Sequence, residues 1–322
     1  MRHENADNLF LLALCLYSGL GPVRIREILS ALREEHVSPE QAAQLSAFQR
    51  RRLLGLSAPL HVVLDKTPQL VEKAALLAGD LETRGVSWIR EGDKDYPPRL
   101  LHFMKGAAPP VIFYRGNLQL LHAPYFLGIV GTREPSQKGM EAARQISGEI
   151  AEKGAVIVSG GARGIDACAH EAALRHSGTI IVLPYGLDHI KRLGYLDRYL
   201  NRKNHLLLSE FAPFEQGNKS TPILRNRTVA ALSDALLVIE TGARGGTLHT
   251  VRFAREYSKP VLALDFSPMC NPKGNSSLLA TVAESVPAFP KESEARLGMI
   301  MKALEKGKAL VHKKSAVQNL LF

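Results

Sequence analysis

Apolar residues recur at helical spacing through residues 7–80, three or four to every two turns. In "NLFLLALCLYSGLGPVRIREILSAL" the pattern breaks once, between Gly19 and Pro22, and Pro22 restarts it, because proline suits the first turn of a helix. A proline-rich connector follows over 86–124; its apolar run "VIFYRG" is expected to be extended. From residue 125 the period changes. "YFLGIVG", "AVIVSGG", "TIIVLP", "HLLLSE", "ALLVIE" and "PVLALD" are short, almost wholly apolar runs. Helical segments separate them, at roughly 137–153, 165–176, 193–203, 225–233 and 247–258. Strands that are apolar on both faces and alternate with helices predict a mostly parallel sheet in a doubly wound α/β domain. The expected organisation is a helical module at 1–85, a connector at 86–124, an α/β domain at 125–290, and a short basic tail at 291–322. No internal repeat is seen.

Composition adds a direction. The chain has 322 residues, 45% of them hydrophobic, and a net charge of +10. That excess of Lys and Arg fits a polyanionic partner or, alternatively, serves solubility. Three scattered cysteines, Cys15, Cys168 and Cys270, form neither a disulfide framework nor a zinc motif and fit a reduced, cytoplasmic compartment. The start "MRHENADNLF" is unlike a signal peptide, and no apolar run reaches the about 18 residues that span a bilayer. No membrane association and no cofactor are expected.

The candidate chemistry lies where the strands end. "GIVGTR" closes the first strand with Gly131, Thr132 and Arg133. "VSGGARGID" closes the second with Ser159, Gly160, Gly161, Arg163 and Gly164. "IETGARGGTLHT" closes a later one with Gly242, Arg244, Gly245, Gly246 and Thr247, and Arg225, Asn226 and Arg227 open the helix before it. Glycine admits a close oxyanion, amides at a helix start favour negative charge, and arginine adds a two-pronged donor. Three such turns on one sheet edge point to phosphate. A dinucleotide fingerprint and a Walker A sequence are both missing. Asp166 and His170 share a helix face, either as an acid–base pair or as a cap with its partner. Glu210 and Glu240 end strands, either as catalytic carboxylates or as orienters of Arg225 and Arg227.

Those motifs, in order, resemble the DprA/Smf family of DNA-processing proteins: "GTR", "SGGARGIDACAH", "SEF", "RNRTVAALSD" and "GGTLHT". "GLGPVRIREIL" resembles a helix-hairpin-helix or sterile-alpha-motif module, and the likeness covers most of the chain. The resemblance implies an extended Rossmann-like domain, single-stranded DNA in a positive pocket, homodimers, loading of a RecA-type recombinase in natural transformation, and no catalysis. It places Arg133, Ser159, Gly160, Gly164, Lys219, Arg225, Asn226 and Arg227 around the DNA, with Asp166 and His170 supporting the loop. Five features depart from the family pattern, one of them Gly245-Gly246-Thr247-Leu248 where Ser-Gly-Ser-Leu is usual. Pro222 stands where a Phe is usual, "GLDHIKRLGYL" lacks the Tyr-Pro, Asp265-Phe266 replaces a Pro-Gly, and a short Lys-rich tail stands where a winged helix is frequent. These departures admit two rivals. One is a regulator or antitoxin in a phage-defence or toxin–antitoxin pair. The other is a phosphoribohydrolase-like enzyme, although "ARGGT" lacks that enzyme group's proline.

Overall fold

The structure, a computed structural model, describes residues 6–17, 19–196, 200, 204–289 and 293–318. More than half of the helix expected at 193–203 lies outside them. The chain divides into two compact units, Met1–Tyr96 with Met104–Phe113, and Pro97–Phe103 with Tyr114–Phe322.

The first unit is helical: α1 (Ala6–Leu16), α2 (Pro22–Glu34), α3 (Pro39–Gln44), α4 (Ala47–Leu54), α5 (Ala58–Asp65) and α6 (Thr67–Thr83). Gly19 takes a φ of +82°, which only glycine adopts cheaply, and Pro22 starts α2. Ser38 and Ser46 each form a capping box, with Gln41 and Gln49. Leu12, Leu14, Ile28, Leu60, Leu64 and Leu81 fill the interior. Arg50, the first of three consecutive arginines, is also interior. It donates to the carbonyls of Ala42, Ala43 and His61 and pairs with Asp65 at 2.5 Å. Its charge therefore ties α3, α4 and α5 together. The strand β1 (Ser87–Arg90) and the first residues of β2 (Val111–Gly116) also belong here.

The second unit carries the sheet: β3 (Phe126–Val130), β4 (Val156–Ser159), β5 (Thr179–Leu183), β6 (His205–Ser209), β7 (Ala235–Val238), β8 (Val261–Asp265) and β9 (Glu284–Pro287). They lie in the order β6-β5-β4-β3-β7-β8-β9, and every pair is parallel. All six apolar runs are strands, as a doubly wound α/β domain requires. In β3, β4, β5 and β7 every residue is buried, so neither face has room for polar alternation.

Helices α8 (Gln137–Glu152), α9 (Ile165–Ala173) and α13 (Ser293–Gln318) cover one face. There Ala142, Ile146, Ile150, Ala169, Ala173, Ile300 and Leu304 meet Ile129, Ile157, Leu237 and Leu262. Alanines at the contact let α8 and α9 approach closely. The alternate strand residues, such as Leu236 and Val238, face the other side, where α10 (Thr221–Leu232) and α11 (Gly246–Glu256) pack on each other. Among the described residues no helix is long and apolar enough to cross a membrane.

Candidate nucleic-acid interface

After β3 the chain moves to β4 on one side, and β7 later pairs with β3 on the other. Such a reversal opens a crevice at the strands' carboxyl ends, where doubly wound sheets take ligands. The glycine turns form its walls. Thr132 N–H donates to Glu240 O (2.7 Å), and Ile165 N–H to Thr132 O (3.2 Å), which ties the three turns together. Gly164 has a φ of +80°, and a Cβ there would lie 2.5 Å from Thr132 O, so the turn after β4 can cross the turn after β3 only with glycine. Helices α9 and α11 start after Gly164 and Gly245 without a side-chain cap. Their first amides bias the edge toward an anion.

Two adjoining cavities result. The first, about 310 Å³, is walled by Gly131, Thr132, Arg133, Asp166, Pro222, Arg225, Asn226, Arg244, Gly246 and Thr247, among others. The second, about 500 Å³, shares Arg133, Ala162 and Arg225 and adds Gly160, Gly161, Arg163, Pro184, Tyr185, Arg192 and Tyr195. Arg133, Arg163, Arg192 and Arg244 are exposed, as is Lys219 on the loop before α10. Among the described residues none of the five is paired with a carboxylate.

The other arginines are engaged within the fold. Arg225 is only 4% exposed; it donates to the carbonyls of Gly160 and Val182 and to Asn226 Oδ1. It is a wall that both cavities share. Arg227 meets Glu210 at 3.4 Å, and Glu210 also accepts from Thr228 Oγ1 at 2.9 Å. Burial pushes the Glu210 carboxyl up, against the pull of Arg227. Glu240 accepts instead from the N–H and hydroxyl of Ser136, which caps α8, so it holds that loop and no arginine.

The hydroxyls are similarly occupied. Ser159 is buried and donates to Ile129 O (2.5 Å), and Thr247 donates to Gly131 O (3.0 Å). Asn226 Nδ2 donates to Gly246 O (3.2 Å). Asp166 accepts from the N–H groups of Gly160 and Ala162. Burial raises its pKa, and the charge of Arg225 opposes that. Of the residues the sequence nominates, Ser159, Gly164, His170, Glu210, Lys219, Arg227 and Glu240 do not wall either cavity. Tyr185, Arg192 and Tyr195 do, and the sequence reading did not nominate them. Their signal was "LPYGLDHIKRLGYL", directly after β5.

His170 lies wholly inside. Its Nδ1 lies 2.7 Å from Thr179 Oγ1, whose own hydroxyl donates to Ile157 O (2.8 Å), so a neutral ring carries its proton on Nδ1, and the buried Nε2 has no acceptor among the described residues for a second one. Burial, aided by Arg225, pushes its pKa down to about 3. The unfolded chain binds that proton below about pH 6.5, and the folded one does not until about 3. His170 therefore costs stability as pH falls through this window, by about 1.4 kcal/mol per unit. A His170→Asn variant should start less stable at pH 8 and close the gap to wild type between pH 6.5 and 4, as read by urea unfolding. A gap independent of pH would contradict the neutral assignment.

Comparison with known proteins shows the family and the fold. Residues 87–294 match the family described as DNA recombination-mediator protein A. DNA processing protein DprA of Bacillus subtilis is 35% identical over 185 residues, which are 56% of this chain and 61% of that protein. The chain thus spans about three-fifths of that relative's length, and 56% of the length of the Streptococcus pneumoniae DprA. The crystal structure of the S. pneumoniae protein superposes with a TM-score of 0.63 at 28% identity, covering 88% of this chain and 94% of that one. DNA processing protein A of Helicobacter pylori, solved for its single-stranded DNA binding mode, superposes at 0.59 with 27% identity, covering 68% of this chain and 97% of that one. The chain belongs to the DprA/Smf family, the DNA recombination-mediator A proteins.

Proposed function

We propose that this chain is a cytoplasmic, non-catalytic protein that binds single-stranded DNA along the carboxyl edge of β3, β4, β5 and β7. The observation that carries the proposal is the set of exposed, carboxylate-free cations, Arg133, Arg163 and Arg244 on glycine turns that already favour an anion, with Arg192 beside them on the segment after β5. A single strand is flexible enough to turn a phosphate into a recess of about 310 Å³, whereas a duplex holds its phosphates on a stiff rod. The absence of catalysis is supported by the carboxylates, since Asp166, Glu210 and Glu240 each accept bonds from neighbours that orient the loops. The family's homodimerisation and its handover of the strand to a RecA-type recombinase belong to the same proposal. Light scattering and a pull-down with recombinase test those two parts.

The direct test is the salt dependence of oligothymidylate binding. Neutralising about three to five phosphates on a single strand should give a log–log slope of about −2 to −3.5. A flat response between 50 and 300 mM salt would remove the phosphate contacts, and with them the function proposed.

A further inference from the structure

We infer that the second cavity takes a nucleobase of the bound strand, stacked on the guanidinium of Arg192; this rests on the single-strand function proposed above. The two cavities share Arg133, Ala162 and Arg225 but differ in chemistry. The first is walled by glycines, threonines and arginines and has no ring; Pro222 stands at its side. The second adds Pro184, Tyr185 and Tyr195, and at about 500 Å³ it has room for a base.

Its flat surfaces are set before any ligand arrives. The Arg192 guanidinium rests on the ring of Tyr185, 4.9 Å from the centroid, and its Nη1 donates to Gln216 O at 2.8 Å. One face of the plane is thus covered by the buried Tyr185, while Arg192 itself is exposed and walls the cavity. Tyr195 is pinned by its hydroxyl, which donates to Gly161 O. Bases of unpaired strands stack on arginine planes and aromatic rings, and a plane already fixed loses little freedom on binding. What separates the two cavities is the flat surface of the second, the Arg192 plane and the Tyr185 and Tyr195 rings, since each cavity has one acid and several arginines in its walls. A nucleotide can then place its phosphate in the first cavity and its base in the second, across Arg133.

The test compares oligothymidylate with an abasic oligomer of equal length and charge, by fluorescence anisotropy. Wild type should bind thymidylate about tenfold or more tightly than the abasic strand. Arg192→Lys keeps the charge and loses the plane. It should lose most of that preference, leave abasic affinity within about twofold, and unfold at the wild-type temperature. Tyr195→Leu provides a second variant with the same expected loss. If Arg192→Lys and Tyr195→Leu keep the full thymidylate preference, the inference is overturned. A wild type that binds both strands equally overturns it too, while the proposed function stands. Failure to bind either strand at low salt overturns both.

Discussion

Replacing Arg133 and Arg163 together by alanine should lower affinity for single-stranded DNA at least about 100-fold at 100 mM salt and leave the fold intact. Each is exposed, at the tip of a glycine turn, and unpaired with a carboxylate among the described residues. Removing either costs the folded chain little, within about 0.5 kcal/mol. A charge-assisted bond to phosphate contributes about 1.5–3 kcal/mol, so two lost bonds account for the drop. The salt slope should shrink by about 1.4, or 0.7 for each phosphate released. The same substitution at Arg225 would be a different experiment. That side chain joins the turn after β4 to the end of β5, through Gly160 O and Val182 O, and its loss takes a buried donor from both carbonyls. An Arg225→Ala variant that binds poorly therefore reports a collapsed wall as readily as a lost contact. Unchanged affinity and slope in the Arg133/Arg163 variant would show that the strand lies elsewhere.

The second large effect lies away from the site. Asp234→Ala should destabilise the second unit by about 3–5 kcal/mol, because it leaves the Arg99 guanidinium without its counter-charge and a buried amide without its acceptor. Asp234 is wholly buried just before β7; it pairs with Arg99 and accepts from Phe126 N–H at 2.9 Å, the first amide of β3. Lys259 lies in the same cluster. It donates to the carbonyls of Ala231 and Ser233 and sits 3.9 Å from the Phe103 ring centroid. Burial and Arg99 push the Lys259 amine well down, and Asp234 opposes them. Without Asp234, Arg99 has no counter-charge, the Lys259 amine is pushed further down, and the β3 amide loses its acceptor. For a unit of this size the melting temperature should fall by roughly 6–20 °C. Asp234→Asn, which keeps an acceptor for Phe126, should fall between the two. A loss below about 1 kcal/mol in the alanine variant would mean that the cluster is solvated and not held by this carboxylate.

Much of this architecture was legible along the chain. A strand apolar on both faces has only one stable environment, between two helical layers, so the six runs from "YFLGIVG" to "PVLALD" specify a parallel sheet before any contact is known. The glycine turns were legible for a similar reason, because a bare backbone beside arginine suits an anion wherever it lies. The strand β9 and the packing of α13 were harder to read. Glu284–Pro287 is only partly apolar, and the lysines of the last helix mask the spacing of Ile300, Ala303 and Leu304.

By itself, then, the sequence determined the doubly wound sheet, the charge of its edge and the family, because periodicity and residue type act locally. Tertiary structure alone decided which cations face outward. Arg133 and Arg163 do, and Arg192 does while also donating to Gln216 O, whereas Arg50, Arg225 and Arg227 are occupied by carbonyls and by the carboxylates of Asp65 and Glu210. It also brought Tyr185, Arg192 and Tyr195 against the turn after β4. The reason is that a guanidinium is equally at home on phosphate oxygens and on backbone carbonyls, and only the packing of β4 beside β5 under α10 determines which it meets.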